Sequence, residues 1–218
     1  MSPDVASADA IDNGLVDDVV TILGTGKEAD VYLGRWRGAD LVLKVYRLHR
    51  TPHKKKALIG YAMDQIGLIA ANEFTILQKA YRAGVPVPTP ARRVDNMFTM
   101  RYLGGESKAP LLKDAVLDEP EIAAREAVAL VERLLDAHIV HGDLSEYNIL
   151  YWNGRLFVID FPQAIDFSSN VTRHILIEEA KPLLLRDLKN LEHFFTRLDV
   201  ELDAENEYKR LCKKLEPN

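Results

Sequence analysis

The spacing Asp-x-x-x-x-Asn in His141-Gly142-Asp143-Leu144-Ser145-Glu146-Tyr147-Asn148, with Val158-Ile159-Asp160-Phe161 close behind, constrains this chain more than any other stretch. Between the two segments stands Asn153-Gly154, flanked by apolar residues. That dipeptide is the strongest short-range hairpin signal, so residues 149–152 and 156–159 are expected to pair across it. Asp and Asn are common turn residues, and a turn is the plain reading of each alone. Together, Asp143, Asn148 and Asp160 match a different demand. Phosphoryl transfer needs a carboxylate to hold the attacking hydroxyl, and an amide and a second carboxylate to hold Mg²⁺ against the phosphates.

The rest of the chain can house such a site. At 218 residues it is long enough to bury a core as one domain or one two-lobed unit. A net charge of -5 supplies no overall basic field for indiscriminate nucleic-acid binding. The lone Cys212 excludes an intramolecular disulfide, suits a reducing compartment and has no neighbouring ligands for zinc. Residues 1–18 carry five acidic side chains and no basic start before an apolar run, so no signal peptide is expected. No run of about 18 apolar residues suggests a membrane span. The expectation is a cytoplasmic protein.

Residues 1–18 read as a loose arm or a short docking helix. Strands are expected over 19–23, 30–36 and 41–46, the last two joined by the turn Arg37-Gly38-Ala39-Asp40. From 57 to 82 apolar residues recur every three or four positions without a proline, predicting a long amphipathic helix. Gly84 ends it, and Pro86, Pro88 and Pro90 impose an extended connector to strands over 91–94 and 96–103. Beyond Gly104-Gly105 the texture turns helical. A helix is expected over 120–138, and residues 171–215 are mostly helical with a break before Pro182. The fold class is therefore α+β and two-lobed. An arm (1–18) precedes a lobe of antiparallel sheet plus one long helix (19–103) and a mostly helical lobe (104–218), with a cleft between.

Gly24-Thr25-Gly26-Lys27-Glu28-Ala29-Asp30-Val31 follows the protein-kinase pattern G-x-G-x-x-G-x-V with Ala29 at the third glycine. Small residues there let backbone N–H groups approach phosphate oxygens. A tight hairpin turn is the bland alternative, and no Gly-Lys-Ser or Gly-Lys-Thr closes a Walker A pattern. Lys44 sits inside the apolar run Leu41-Val42-Leu43-Lys44-Val45, where an ammonium is costly unless paired. Glu73 on the long helix is its natural partner, with Asp64 a weaker competitor. Met100, Arg101, Tyr102 and Leu103 occupy the place of a hinge whose backbone would meet an adenine edge, although a plain buried strand fits them as well. His141 alone reads as structural. Asp143 could act as a base, orient a hydroxyl or stabilise a turn. Ser145 could contact phosphate or only shape its loop.

In this order the segments resemble the RIO family of atypical protein kinases. The resemblance rests on Gly24-Thr25-Gly26-Lys27-Glu28-Ala29, Lys44, Glu73, the Met100 to Gly104 hinge, and His141-Gly142-Asp143-Leu144-Ser145-Glu146-Tyr147-Asn148. It continues through Ile159-Asp160-Phe161-Pro162-Gln163 and a closing segment, Leu185-Arg186-Asp187-Leu188-Lys189-Asn190-Leu191-Glu192-His193-Phe194-Phe195. It implies binding of ATP with Mg²⁺ (or Mn²⁺), and serine autophosphorylation or ATPase activity. It gives Asp143, Lys44 and Asp160 catalytic roles and makes Asn148 and Asp160 metal ligands. Some members are thought to form a phospho-aspartate, here at Asp160. Ser145 stands where typical kinases carry a phosphate-contacting lysine, and Gly142 replaces the arginine that reads a phosphorylated activation loop. No Ala-Pro-Glu segment follows Asp160, so the usual peptide platform is not expected, and neither is an N-terminal winged-helix domain within residues 1–18. Pro162 would stiffen a segment that is elsewhere a mobile switch.

Two rival readings share the phosphate chemistry. Aminoglycoside- and choline-type phosphotransferases also carry His-Gly-Asp loops, but usually with a larger helical lobe after the second aspartate. An assembly factor switched by ATP could present Arg47-Leu48-His49-Arg50-Thr51-Pro52-His53-Lys54-Lys55-Lys56 to a ribonucleoprotein, against the simpler reading of a solvated loop.

Overall fold

Strands rich in Val, Leu, Tyr and Trp form the first part of the chain: β1 (Asp18–Thr25), β2 (Ala29–Trp36) and β3 (Ala39–Tyr46), later joined by β4 (Pro90–Val94) and β5 (Met97–Arg101). A computed structural model describes residues 3–47 and 56–215 of the chain. The strands make one antiparallel sheet in the order β1-β2-β3-β5-β4. Arg37 and Gly38 close β2 onto β3 with positive φ values of 48° and 81°, the twist a two-residue hairpin requires. Helix α1 (Pro3–Asp12) and the turn after it cover one face of the sheet. Ala10, Leu15 and Val16 are buried there with Tyr32, Leu43, Val45 and Met97. Gly34 admits this contact, since a Cβ there would lie 2.6 Å from Val16 Cγ1. Residues 1–18 thus include a packed structural helix. The alternate residues Lys44 and Tyr46 line the opposite face with Phe98, and helix α2 (Lys56–Arg82) brings Glu73 and Phe74 to it.

The chain divides into two compact units, Met1–Thr75 with Pro88–Leu103 and Ile76–Val87 with Gly104–Asn218. The end of α2 and part of its connector therefore belong with the second unit, although the sequence placed them in the first lobe. In the second unit α3 (Pro120–Asp136) buries Ala123, Ala127, Leu130, Val131 and Leu134 along one stripe. The hairpin β7 (Ile149–Trp152) and β8 (Arg155–Val158) turns on Asn153 and Gly154, both at positive φ. A single 3₁₀ turn, Leu112–Asp114, lies beside it. Strands β6 (Ile139–Val140) and β9 (Ile165–Asp166) form a second short ladder, too brief for any periodicity to announce. Helix α5 (Ala204–Cys212) is capped by Asp203, whose side chain accepts from Asn206 N–H at 2.9 Å.

Helix α4 (Arg173–Thr196) corrects one expectation, because it runs unbroken through Pro182. The ring removes one intrahelical donor, but Ile177, Ala180, Leu184, Leu188, Leu191 and Phe195 are buried on both sides of it. That packing outweighs the local break. Among the described residues, no helix is long and apolar enough to cross a membrane. Pro182 itself is exposed, so Pro182→Ala restores a helix donor without disturbing the core. We expect a stability gain of about 1–3 kcal/mol after allowing for the looser unfolded chain, read as a raised urea midpoint. A lowered midpoint would show that the ring is needed where it stands.

Candidate active site

In the first unit, the costly lysine of β3 has found its anion. Lys44 Nζ lies 2.8 Å from Glu73 Oε1, with only 9% and 3% of the two side chains exposed. Tyr46 O–H donates to the other carboxylate oxygen, and Lys44 stands over the rings of Tyr46 and Phe98 at 5.1 and 5.9 Å. Register explains the grouping. Lys44 is paired with Phe98 across β5 and with Val31 across β2, so the lysine shares a sheet face with Phe98, Tyr46 and the strand that carries the glycine-rich turn.

That turn joins β1 to β2. Gly26 N–H donates to Ala29 O at 2.9 Å, and a Cβ on Gly26 would come within 3.1 Å of the same oxygen. Gly24 and Thr25 are the last residues of β1, paired with Val31 and Asp30, while Lys27 and Glu28 form the tip and Ala29 is buried. Met100 and Arg101 end β5. Tyr102 and the buried Leu103 follow outside the ladder. Burial, and secondarily the charge of Asp40, raises the Tyr102 phenol above its ordinary pKa. Of the basic run, residues 48–55 lie outside the described residues. Arg47 is described, and it is engaged with the turn: its Nη2 donates to Gly26 O at 2.6 Å.

In the second unit, residues 141–148 follow β6. Asn148 Nδ2 donates to Asp143 O at 2.7 Å and approaches Asp143 Oδ2 at 3.4 Å. The amide nitrogen is thereby turned to Asp143, and its oxygen becomes the atom available to a cation. Ser145 O accepts from Asn148 N–H at 2.9 Å, and Ser145 Oγ from Tyr147 N–H at 3.4 Å. Asp143 N–H donates to His141 Nδ1 at 3.3 Å, leaving Nε2 to donate to Ile159 O at 3.1 Å. The imidazole also packs on Phe161, ring centres 4.8 Å apart. His141 is thus a buried strut between the two polar segments. Asp160 lies just past β8 at a φ of 68°, an uncommon conformation for a residue with a side chain. Its neighbours are held on both sides, Ile159 N–H by Asn148 O at 3.0 Å and Phe161 by His141.

The residue that the sequence left without a role is Asp187. Its carboxylate, on α4 and 2% exposed, accepts from Gly142 N–H and Leu144 N–H, each at 2.8 Å. Asn190, one turn on, donates to Leu144 O at 2.9 Å, and Arg186 donates to Gly142 O. Glycine is required at 142 by its φ of 78° and by the close pass of Gln163, whose backbone O would lie 2.7 Å from a Cβ there. Arg197 at the helix end pairs with the buried Glu146 at 2.7 Å. Below the loop, Lys79 pairs with Asp166 of β9. Burial opposes ionisation of Asp166, but the hydrogen bonds from Lys79 and Ser168 prevail and hold its carboxyl below the ordinary range. Among the described residues, no group of three or more His, Cys, Asp or Glu could hold a metal by itself. A Mg²⁺ held through Asn148 and Asp160 would need phosphate and water oxygens to complete its shell, the usual arrangement for this cation.

A RIO domain model matches residues 30–208. The RIO-type serine/threonine-protein kinase Rio1 of Haloferax volcanii is 32% identical over 212 residues, covering 91% of this chain and 70% of that protein. The serine/threonine-protein kinase RIO1 of Chaetomium thermophilum is 27% identical, covering 88% of this chain, which spans only 42% of that relative. Among solved structures, the Rio2 kinase from Chaetomium thermophilum superposes with a TM-score of 0.73 at 23% identity, over 97% of this chain and 67% of that one. Its ADP/Mg²⁺-phosphoaspartate complex gives 0.69 at 22% identity, over 97% and 69%. The architecture is that of an α+β protein-kinase-like fold. The chain belongs to the RIO family, and the curated relatives similar to it are serine/threonine-protein kinases. The aminoglycoside- or choline-type alternative gives way to this match.

Asp187 carries a measurable signature. Burial raises its pKa from 3.8 to about 7, against the lowering effects of the Gly142 and Leu144 N–H groups and Arg186. An unfolded aspartate loses its proton near pH ~4, so between there and about pH 7 the folded state binds the extra proton. Stability from this group is therefore full below that window and falls as pH rises through it. Asp187→Asn sets an amide donor against one of the two loop N–H groups, an expected cost of about 1–3 kcal/mol. It should also remove this part of the pH slope in urea titrations from about pH 4.5 to 7. Parallel slopes in the two proteins would refute the assignment.

Proposed function

We propose that this chain is an ATP- and Mg²⁺-dependent atypical serine/threonine kinase of the RIO type whose phosphoryl transfer ends on itself or on water. The buried Lys44–Glu73 pair carries the reading. An ion pair withdrawn from water is weak evidence for stability, whereas a lysine held in a fixed place is what ATP phosphates require. The first unit supplies the nucleotide-binding lobe and the second the catalytic lobe, with residues 76–87 counted in the second. Gly24, Thr25, Gly26, Lys27, Glu28, Ala29 and Val31 form the phosphate loop and its flank. Met100, Arg101, Tyr102 and Leu103 receive the adenine, and Ser145 offers a hydroxyl to phosphate.

Asn148 Oδ1 and the Asp160 carboxylate are hard oxygen donors suited to Mg²⁺, which when bound neutralises charge on the transferring phosphate. Asp143 orients the attacking group. The Chaetomium thermophilum Rio2 kinase has been solved as an ADP/Mg²⁺-phosphoaspartate complex, and in this chain Asp160 is the residue we assign to the phosphorylated role. A carboxylate oxygen of Asp160 forms the new bond to the γ-phosphorus as the bond to the β-phosphate oxygen breaks, and ADP leaves. Attack of water on the acyl phosphate then releases inorganic phosphate and restores the carboxylate. Between Asp160 and α4 only residues 161–172 intervene, with β9 among them. So short a stretch favours self-modification or ATP hydrolysis over the docking of a long peptide.

The test is γ-labelled ATP with the purified chain. Label should appear on wild-type protein in an acid-labile, hydroxylamine-sensitive form, and Asp160→Asn should abolish it. Asp143→Ala should lower turnover by at least about 100-fold, and Ser145→Ala by much less. Equal labelling of wild type and Asp160→Asn would rule out Asp160 as acceptor. Label passing mainly to an added small alcohol would overturn the protein-kinase reading.

A further inference from the structure

The glycine-rich turn is held from outside by one residue, used twice. Arg47, just past β3, donates its backbone N–H to Glu28 O at 2.8 Å. Its guanidinium reaches back to the same turn, where Nη2 donates to Gly26 O at 2.6 Å. Nε lies 3.0 Å from Asp30 Oδ2, the two side chains being 30% and 18% exposed. The Nε–H is not aligned for a hydrogen bond to that oxygen, and Asp30 Oδ1, also buried, has no hydrogen-bond partner among the described residues. The Asp30 contact is therefore electrostatic, and the directional bonds of Arg47 go to the carbonyls of the turn.

The geometry points to Arg47 as a positioning residue for the nucleotide, an inference that rests on the ATP-binding reading above. In a planar trans peptide, N–H and C=O lie on opposite sides. With Gly26 O drawn to the guanidinium, Lys27 N–H is turned away from Arg47. With Glu28 O drawn to the Arg47 backbone, Ala29 N–H is likewise turned away. Glycine at 26 would otherwise let the Gly26–Lys27 peptide rotate freely. Arg47 removes that freedom before nucleotide arrives, and preorganised donors bind phosphate better than donors that must first be ordered. Asp30 keeps the guanidinium in place, so the arginine is spent on the protein carbonyl and leaves phosphate recognition to the turn.

Arg47→Met keeps the aliphatic stem and removes the clamp, Arg47→Lys keeps a charge that can reach only one partner, and Asp30→Asn weakens the hold on the guanidinium. The inference expects Arg47→Met to raise KM for ATP about tenfold, the loss of one charge-assisted hydrogen bond, with kcat within about twofold. Arg47→Lys and Asp30→Asn should fall between it and wild type. Hydrogen exchange without nucleotide should quicken at residues 26–29 in Arg47→Met while the β3–β5 ladder stays protected. Exchange at the turn tests the clamp even if the chain hydrolyses no ATP, an outcome that would count against the function and not against the clamp. Unchanged exchange and unchanged KM in Arg47→Met would overturn the inference. Should that variant not fold, unchanged KM and exchange in both Arg47→Lys and Asp30→Asn would overturn it equally.

Discussion

One carboxylate, that of Asp187, fixes the backbone on which the second unit's polar chemistry is built. It accepts the N–H groups on either side of Asp143, from Gly142 and Leu144. Because both donors end on one rigid group in the middle of α4, the peptides around Asp143 cannot rotate independently. The same helix adds Asn190 to Leu144 O and Arg186 to Gly142 O. A loop is ordinarily the mobile part of a fold. This one is fastened to a helix whose own place is set by Leu184, Leu188, Leu191 and Phe195 in the core. Packing therefore determines where an exposed aspartate stands.

The first unit solves its problem by the opposite device. Its fixed point is a full ion pair, Lys44 with Glu73, and the third partner is the Tyr46 hydroxyl. The N–H groups that meet Asp187 do not fully offset its burial, and its pKa stays raised. A lysine and a glutamate side by side satisfy one another, and most of their desolvation cost is offset only because both ends are ordered. Both arrangements place a costly polar group in the interior and surround it with directional partners. In each, the cost is met by apolar packing nearby, Phe74 on Phe98 in one unit and the α4 stripe in the other.

Local patterns made much of this legible in the sequence. Asn153-Gly154 marks its hairpin, and a lysine among Leu and Val in β3 demands a partner that the helix supplies at Glu73. What stayed hidden depends on distant contacts. Asp187 lies 45 residues from Gly142 and looks like any helix carboxylate until its stripe is counted. Leu184, Leu188 and Leu191 mark the buried face, and Asp187 falls on it. A charge on an apolar face is the signal that could have found it. Arg47 was submerged in a basic run for a related reason, since composition does not say which cation turns inward. Pro182 misled in the other direction, because a local rule about helix breaking carries no information on how much packing lies on each side.

Asp160 shows why these supports matter together. Its positive φ costs on the order of 1–2 kcal/mol for a residue with a Cβ, and nothing in a free chain would maintain it. Ile159 is held by Asn148 O and by His141 Nε2, while Phe161 is buried against the same imidazole. His141 in turn accepts from Asp143 N–H, within the loop that Asp187 anchors. The conformation of one carboxylate thus depends, through Ile159, His141 and residues 142–144, on a second carboxylate buried in α4. Pro162, two residues past Asp160, restricts the backbone just beyond. The segment around Asp160 is thus held on its Ile159 side and on its Phe161 side. Such a construction holds Asp160 in one backbone conformation, which is what the role proposed for its carboxylate requires.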